Sequence, residues 1–325
     1  MIVVTGAAGF IGSNVVAALN ARHRADIVAV DRFRDVSKAR PYLDGLQVQA
    51  RVDKDDLSRW LGEEGRDVEA IIHEGACTDT TVTDRATVMA MNTEYTRMLW
   101  EWCLRAGTPL VYASSAATYG NGAHGYDDEA DPRALEPLNL YGESKQLFDC
   151  WALKQSRTPP RWAGIKYFNV YGPHEAHKGR MASVVYHAYH QIRDTGKVRL
   201  FTSHKEGYAD GGQQRDFVFV DDAVEATLHL LETPVSGGAP NGLYNVGTGQ
   251  ARTFAALGQA VFAALGREPN IEYFPMPEDL RERYQYFTQA KVEKLRRSGF
   301  TRAFRSLEEG VRAYVRYLEA EDSSH

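Results

Sequence analysis

Residues 2–12 read IVVTGAAGFIG, an apolar run followed by three glycines at the spacing GxxGxxG. The run Ile2–Thr5 predicts a buried β-strand, and the apolar spacing from Ile11 to Leu19 predicts a helix. Glycines between a strand and a helix let the backbone approach a pyrophosphate, whose charge is then held by N–H groups and the helix dipole. The stretch therefore predicts the first βα unit of a dinucleotide-binding domain.

Further strand-like runs recur through the first two-thirds of the chain, at residues 27–31, 70–73 and 110–113. They alternate with helical segments such as Val88 to Leu104, which is typical of βαβ units in a buried parallel sheet. Two later runs, residues 217–220 and 243–246, are expected to return to this sheet. Ser306 and Glu309 have the spacing of a capping box and predict the start of the last helix.

These patterns predict an α/β protein with a Rossmann-type, doubly wound parallel sheet and a smaller, interleaved C-terminal substrate lobe. The expected dinucleotide-binding domain comprises residues 1–168 and 216–248. The expected substrate-binding lobe comprises residues 169–215 and 249–325, including a helix from about Met181 to Thr195.

Composition and charge narrow the class of protein. The 325 residues are 43% hydrophobic and 25% charged, with a net charge of −5 and no basic run, so nucleic acid is not an expected partner. No apolar stretch approaches the ~18 residues of a membrane span, and no basic segment follows Met1 as in a signal peptide. Cys77, Cys103 and Cys150 form no CxxC pair, which favours free thiols in a reducing compartment. We therefore expect a cytoplasmic protein.

Asp31 ends the second predicted strand, about 20 residues after the glycines, where a carboxylate accepts hydrogen bonds from a ribose hydroxyl. This favours NAD. Arg32, Lys38 and Lys54 are nearby cations that would hold a 2′-phosphate, which favours NADP. Residue chemistry alone leaves the two cofactors open.

The catalytic candidates form a YxxxK sequence, Tyr141 to Lys145, with Ser115 upstream at the end of a strand. Residues four apart share a helix face, so the Lys145 charge is expected to lower the pKa of the Tyr141 phenol. Tyr141 then serves as a general base for a sugar hydroxyl, and Ser115 binds the same oxygen. The nearby run His174-Glu175-Ala176-His177 is one residue short of HExxH, so no metal is predicted.

Together these motifs resemble those of extended short-chain dehydrogenases that act on nucleotide sugars. The superfamily resemblance lies in Gly6-x-x-Gly9-x-x-Gly12, Ser115-Ala116-x-x-Tyr119-Gly120, Tyr141-x-x-x-Lys145 and Arg215-Asp216-Phe217-Val218. More narrowly, the chain resembles the ADP-L-glycero-D-manno-heptose 6-epimerase family over essentially its whole length. The segments that carry this are HEGAC (73–77), ASSAATYG (113–120), YFNVYGP (167–173), HKG (177–179) with MASV (181–184), and RYQ (283–285) with FTQ (287–289).

The resemblance implies epimerisation at C6 of an ADP-activated heptose for lipopolysaccharide core biosynthesis, by transient oxidation and re-reduction. It implies tightly bound NADP, with NAD the alternative, and a homo-oligomer, a pentamer in the family. Because protons are handled on opposite sides of the sugar carbon, it implies two bases, Tyr141 and Lys178, supported by Lys145 and Ser115.

The family pattern also implies two sets of contact residues. The cofactor set is Gly6, Gly9, Phe10, Ile11, Gly12, Asp31, Arg32, Lys38, Lys54, Glu74, Gly75, Ala76, Cys77, Thr78, Asn92, Tyr141, Lys145, Val170 and Lys178. The substrate set is Ser115, Asn169, Arg180, His187, Phe201, Thr202, Ser203, His204, Arg215 and Tyr284. Arg215 is the natural ligand for the diphosphate, because a guanidinium group meets phosphate oxygens bidentately.

The sequence departs from the family pattern at Arg180, where a small serine is usual, and in a longer loop over residues 205–214. Another nucleotide-sugar epimerase or a dehydratase on the same scaffold is the nearest alternative. A 4,6-dehydratase usually carries an acidic residue beside the catalytic serine, and Ala116-Ala117-Thr118 offers none. A non-catalytic dinucleotide sensor is the alternative of another class, and it has no need of Tyr141, Lys145 and Ser115 together.

Overall fold

The computed structural model describes residues 1–35, 41–79, 82–234, 239–281 and 284–323. The strands are β1 Ile2–Thr5, β2 Ile27–Asp31, β3 Ala50–Asp53, β4 Ala70–His73, β5 Leu110–Ser115, β6 Trp162–Tyr167, β7 Asn169–Tyr171, β8 Val198–Phe201, β9 Gln214–Phe219, β10 Gly242–Val246, β11 Ala251–Thr253 and β12 Ile271–Phe274. Lys38, a predicted cofactor residue, lies outside the described residues.

The helices are α1 Phe10–Ala21, α2 Leu57–Glu63, α3 Arg85–Met89, α4 Tyr95–Ala106, α5 Leu140–Leu153, α6 Val184–Thr195, α7 Val220–Glu232, α8 Phe254–Ala264, α9 Glu278–Arg281, α10 Glu293–Arg297 and α11 Leu307–Ser323. A π-helical turn, Ala90–Glu94, joins α3 to α4. Within the described parts of the chain, no helix combines the length and the apolar character that crossing a membrane requires.

Seven parallel strands form the central sheet, in the order β10-β6-β5-β4-β1-β2-β3. Every residue of β1, β4 and β5 is buried, as is usual for a parallel sheet with both faces covered. The predicted α/β class is confirmed. The strand predicted at residues 243–246 also joins this sheet, as β10 beside β6.

Successive side chains of β1 enter different apolar clusters on the two faces of the sheet. Val3 packs with residues of α2, α4 and α5, among them Trp100 and Phe148. Ile2 and Val4 pack with residues of α1 and α7. Because side chains alternate along a strand, this division shows that helices cover both faces, as in a doubly wound sheet.

The strand expected at residues 217–220 is the exception, because β9 lies outside the central sheet. It pairs in parallel with β7 and antiparallel with β11, in a separate three-stranded sheet. The reason lies between β6 and β7: a single residue, Phe168, separates the two strands, and its N–H donates to the Val246 carbonyl. The chain thus leaves the central sheet at Phe168, and β9 follows β7.

The smaller apolar core is formed by β8, β9, α6, α8 and α11, with Val185, Val261 and Tyr314 among its buried residues. The predicted capping box opens α11. The Ser306 hydroxyl accepts a bond from the Glu309 N–H at 3.2 Å, and the Glu309 carboxylate accepts one from the Ser306 N–H at 2.8 Å. This core packs beside the carboxyl ends of the central strands and completes the wall of the cavity described next.

Candidate active site

A cavity of ≈ 860 Å³ lies at the carboxyl ends of β1, β2, β4 and β5. In open α/β sheets, ligands bind in the crevice at this edge. All but one of the predicted cofactor residues that the structure describes line the cavity, and so do Ser115 and Asn169 of the substrate set. The exception is Asn92.

The glycine turn is packed too closely to accept side chains. Gly6 has φ +65°, and a Cβ there would lie 2.7 Å from the Gly75 nitrogen; a Cβ on Gly12 would lie 2.1 Å from the Gly6 carbonyl oxygen. Gly9 is the N-cap of α1, with no side chain capping the helix. The positive end of α1 therefore faces the cavity wall as a backbone cradle for a pyrophosphate.

Asp31 is held by the backbone of this turn. Its carboxylate accepts hydrogen bonds from the Ala8 N–H at 2.9 Å and the Arg32 N–H at 2.8 Å. The Arg32 guanidinium lies 3.2 Å from the Met91 sulfur, and among the described residues it forms no ion pair. Lys54, which also lines the cavity, is paired with Asp55. Among the described residues, Arg32 is thus a cation without a carboxylate partner, next to Asp31 at the end of β2.

Asn92 supports the loop after β4 instead of lining the cavity. Its carbonyl oxygen accepts from the Cys77 N–H at 2.7 Å, and its amide group donates to the Cys77 carbonyl at 3.0 Å and to the Ser144 hydroxyl at 2.9 Å. It lies in the π-helical turn between α3 and α4, a distortion often found at functional sites. Asn92 thereby ties the loop from Glu74 to Thr78 to α5.

Glu74 brings a partly satisfied carboxyl group into the cavity. The Tyr167 hydroxyl donates to its Oε1 at 2.9 Å, whereas Oε2 is buried with no hydrogen-bond partner among the described residues. Burial raises the pKa of Glu74 to about 7, against the opposing effects of Tyr167 and Lys145. A polar ligand in the cavity would satisfy this oxygen, so together with the glycine cradle these residues fit a dinucleotide.

Tyr141, Lys145 and Ser115 come together as the YxxxK spacing predicts. Asn139 caps α5 by accepting a bond from the Gly142 N–H at 2.9 Å, which places Tyr141 in the first turn. The Ser115 side chain lies beside the Tyr141 phenol and acts on its pKa. Lys145 is almost fully buried, and its ammonium donates to the Ala113 carbonyl at 2.7 Å.

The expected lowering of the Tyr141 pKa is wrong in direction. Burial raises the pKa of Tyr141 and outweighs the bond from Ser115 that lowers it. Burial also lowers the pKa of Lys145 to about 8, while Glu74 and Asp149 oppose this. The Lys145 ammonium is hydrogen-bonded to the Ala113 carbonyl in β5. Its charge does not outweigh the effect of burial on the pKa of the Tyr141 phenol.

Lys178 reaches the same cavity from a different element. It lies on a turn of 3-10 helix, Ala176–Met181, with its ammonium 5.0 Å from the centre of the Phe10 ring and 3.9 Å from the Glu175 carboxylate. Burial lowers the pKa of Lys178, and Glu175 opposes that fall. Two groups able to exchange a proton, Tyr141 and Lys178, therefore face one cavity from separate supports.

The family model for the NAD-dependent epimerase/dehydratase family matches residues 2–247. The chain belongs to this family. Curated relatives include an ADP-L-glycero-D-manno-heptose-6-epimerase of Fusobacterium nucleatum subsp. nucleatum, 47% identical over 340 residues that cover 99% of each chain. Family membership indicates a nicotinamide dinucleotide cofactor, and the glycine cradle and the orphan Glu74 oxygen fit such a group.

Solved structures share the fold over nearly the whole chain. The Helicobacter pylori ADP-L-glycero-D-manno-heptose-6-epimerase has a TM-score of 0.79 at 28% identity, covering 98% of this chain and 96% of that one. The Thermus thermophilus UDP-glucose 4-epimerase in complex with NAD has a TM-score of 0.76 at 27% identity, covering 98% of each chain. The confirmed fold is therefore that of nucleotide-sugar epimerases.

Most of the predicted substrate residues lie beyond the cavity wall. Arg215 is buried, with its guanidinium 5.2 Å from the Tyr284 ring and 5.6 Å from the Phe254 ring, and Phe254 lines the cavity. The Phe201 and Tyr284 rings are 6.1 Å apart. These contacts join Phe201, Arg215 and Tyr284 in one cluster that adjoins the cavity through Phe254.

The remaining predicted substrate residues are spread around this cluster. The Ser203 N–H donates to Asp210, and the His204 ring bonds the Tyr286 hydroxyl at 2.9 Å. Thr202 donates its N–H to the Phe274 carbonyl. Arg180 is exposed, and the His187 Nε2 atom is buried with no hydrogen-bond partner among the described residues.

Sequence reasoning missed several residues of the site. Phe217 of β9 and Phe254 and Leu257 of α8 line the cavity, but an apolar residue that lines a cavity looks like any core residue in sequence. Tyr167, the partner of Glu74, lies in a segment that carried the family resemblance, but its role needed the paired strands to become visible. Glu175 stands between the two histidines of the HExxH-like run.

That run does not build a metal site. The His174 Nδ1 atom bonds the Ser13 hydroxyl at 2.9 Å, and its ring stacks on Tyr42 at 4.8 Å. Across the described ranges, no three histidine, cysteine, aspartate or glutamate side chains gather in a metal-binding group. The His174 and Glu175 side chains instead hold the Lys178 turn against α1 and α6.

Proposed function

We propose that the protein is an isomerase that epimerises ADP-D-glycero-D-manno-heptose at C6 to ADP-L-glycero-D-manno-heptose, for lipopolysaccharide core biosynthesis. The observation that carries the proposal is the placement of Tyr141 and Lys178 on separate supports around one dinucleotide cavity. The relatives named for this activity, which match nearly the full chain, support it.

A nicotinamide dinucleotide, when bound, accepts a hydride from a sugar carbon and returns it. Inversion at C6 needs a hydroxyl proton to be removed from one face and given back on the other, so two acid/base groups are required. Tyr141 serves as one and Lys178 as the other; Ser115, beside the Tyr141 phenol, donates to the sugar oxygen whose proton Tyr141 takes. Lys145 holds the end of β5 and orients the cofactor side of the cavity.

The substrate diphosphate is assigned to the cluster around Arg215. Burial lowers the pKa of Arg215, because the buried guanidinium lacks a carboxylate partner; among the described side chains its neighbours are aromatic rings. An anionic diphosphate would compensate this buried charge through charge-assisted hydrogen bonds.

We also propose residues 169–215 and 249–325 as the substrate-binding lobe and residues 1–168 and 216–248 as the cofactor-binding domain.

The deciding experiment is proton NMR of ADP-D-glycero-D-manno-heptose incubated with the purified protein, without added cofactor. Appearance of the L-glycero epimer supports both the reaction and a cofactor that is recycled on the enzyme. If no product forms even after NADP and then NAD are added, the substrate assignment is wrong. Other nucleotide sugars would then be tested, beginning with an Arg180→Ser variant.

NADP is the proposed cofactor because of Arg32. The Asp31 carboxylate is engaged by two backbone N–H groups, whereas the adjacent Arg32 guanidinium has no carboxylate partner among the described residues. A 2′-phosphate would supply one. We expect Arg32→Ala to weaken NADP binding by at least about tenfold and to change NAD binding little, since one charge-assisted pair is lost.

Isothermal titration of both dinucleotides checks this. Arg34→Ala is the matched control, because Arg34 pairs with Asp56 on the surface and does not line the cavity. Equal weakening of NAD and NADP by Arg32→Ala would contradict the NADP assignment.

A cytoplasmic homo-oligomer, a pentamer in the family that the chain resembles, is the proposed assembly. The full-length resemblance to that family supports the proposal. Sedimentation velocity of the purified protein tests the proposal, and a monomer at micromolar concentration would contradict it.

A further inference from the structure

Glu175 is a fully buried carboxylate at 0% exposure, four residues after Tyr171 ends β7. A buried carboxylate is costly unless hydrogen bonds or an opposite charge compensate it. Here Oε1 accepts from the Gly172 N–H at 3.3 Å and the Ser183 hydroxyl at 2.6 Å, and Oε2 accepts from the Ser183 N–H at 2.6 Å. The Tyr314 phenol, from α11, lies near the carboxylate, and burial together with the charge of that carboxylate raises the pKa of the phenol.

These hydrogen bonds tie together the two ends of the segment that carries Lys178. Gly172 stands at its start and Ser183 at its end, where the Ser183 hydroxyl also caps α6 by accepting from the Tyr186 N–H. Both ends of a 12-residue segment are thus fastened to one carboxylate, with Lys178 between them. Bonds from Ser13 to His174 and from Asn14 to the Pro173 carbonyl hold the same segment against α1.

The same carboxylate supplies the charge that acts on the Lys178 amine. Glu175 Oε2 lies 3.9 Å from Lys178 Nζ. The groups packed around this pair from other elements are uncharged: the Phe10 ring of α1 faces the ammonium, and the Tyr186 and Tyr314 phenols of α6 and α11 feel the Glu175 charge. Of the described residues, Glu175 is therefore the charged partner of Lys178.

We propose that Glu175 is the positioning residue for Lys178, closing its segment and setting the protonation state of its amine. The inference rests on the proposed two-base function, in which Lys178 must exist both as an ammonium and as an amine during the cycle. Burial favours the amine and Glu175 favours the ammonium. Burial and Glu175 therefore act in opposite directions on the pKa of Lys178.

A role in folding alone is the competing explanation, and the two differ in what they predict for the pH at which Lys178 titrates. Glu175→Gln removes the charge and keeps most of the bonds. The amide oxygen can accept from the Ser183 N–H, and the amide group can donate to the Ser183 hydroxyl, so the variant gives up chiefly the long bond from Gly172. Ser183→Ala is the matched control, because it removes a bond to Glu175 and leaves the charge in place.

The experiment is carbon-13 NMR titration of the cofactor-loaded protein labelled at the lysine ε-carbon, with the Lys178 signal identified by its loss in Lys178→Met. We expect Glu175→Gln to lower the titration midpoint of Lys178 by roughly one pH unit or more, since a unit charge at this distance acts strongly in a partly buried site. Ser183→Ala should leave the midpoint in place. The corresponding limb of the pH profile of kcat/KM should move in the same direction in Glu175→Gln.

An unchanged Lys178 midpoint in Glu175→Gln, or an equal shift in Ser183→Ala, would overturn the proposal. If Glu175→Gln does not fold, Glu175→Asp decides, because it keeps the charge but draws it back by one methylene group. A smaller downward shift then supports the proposal, and no shift refutes it. The titration uses no sugar, so failure of the heptose assay would refute the proposed function without affecting this result.

Discussion

The two proton-exchanging groups that face the cavity, Tyr141 and Lys178, are held in place in different ways. Tyr141 lies in the first turn of α5, whose start is fixed by the Asn139 cap and whose neighbour is the end of β5. Lys178 lies on a non-repetitive segment that one buried carboxylate closes at both ends. A helix positions a side chain through its own backbone bonds, whereas a loop needs a side chain to do so.

A buried carboxyl group also lies on the side of each of these residues, and the two carboxyl groups differ in the hydrogen bonds that they accept. Glu74, on the Tyr141 side, receives a bond at Oε1 from Tyr167, and its Oε2 is without a partner among the described residues. Both oxygens of Glu175 accept bonds. The comparison teaches that a buried carboxyl group with few donors, Glu74, has a pKa raised to about 7, whereas the Glu175 carboxylate is surrounded by hydrogen-bond donors.

The strongest test of this comparison removes each of the two proton-exchanging groups in turn. We expect Tyr141→Phe and Lys178→Met each to slow turnover by at least about a hundredfold, the usual scale for a positioned acid or base. Steady-state kinetics by NMR or chromatography measures it. Tyr189→Phe and Lys197→Met, which change the same residue types outside the cavity, serve as controls. Full activity in the Tyr141→Phe, Lys178→Met double variant would refute the two-base mechanism.

A second test separates the two carboxyl groups by stability. The pKa of Glu74 is raised in the folded protein, so its contribution is present at low pH and is lost as the pH rises through about 7. Glu74→Gln keeps an acceptor for Tyr167 and cannot ionise. We therefore expect its free energy of unfolding, relative to the unmodified protein, to increase by roughly 2 kcal/mol between pH 5 and pH 8.

Urea denaturation across this pH range provides the measurement. The exposed Glu64 offers the control, since Glu64→Gln makes the same change of residue type at a carboxylate that water solvates. A Glu74→Gln difference that is flat in pH would mean that the carboxyl group finds compensation in the folded protein, as Glu175 does.

The smallest expected effect concerns the helix that carries Tyr141. Asn139→Ala removes the side-chain cap of α5 and should lower the free energy of unfolding by about 1 kcal/mol. It should also slow turnover, because Tyr141 is two residues away. Ser306→Ala at the start of α11 is a comparable loss of a cap far from the cavity and should leave turnover unchanged. Equal turnover in both variants would show that the cap does not position Tyr141.

The cofactor side of the site could be predicted from the sequence to a large extent, because its residues are local. The glycines sit between one strand and one helix, and Tyr141 and Lys145 are one helical turn apart, so backbone periodicity alone brings them together. The prediction for residues 217–220 was wrong in placement, because pairing partners are chosen by the whole sheet. A strand-like pattern does not say which edge it joins.

The substrate side was predictable only by resemblance, since its residues come from distant parts of the chain. Arg215 and Tyr284 are 69 positions apart and meet through ring and guanidinium packing. Asn92 is a residue that the family pattern places in the cofactor set but that does not line the cavity. In the structure it is hydrogen-bonded to Cys77 and Ser144 behind the cavity wall.

The sequence by itself determined the parallel sheet, the glycine cradle and the YxxxK helix face, because each follows from short-range periodicity and from the conformational freedom of glycine. The tertiary structure alone decided the raised pKa of Glu74, the approach of Ser115 to Tyr141 and the pairing of Glu175 with Lys178 inside a closed segment. The physical reason is that burial and electrostatic interaction depend on which distant residues surround a group, and no local pattern encodes its surroundings.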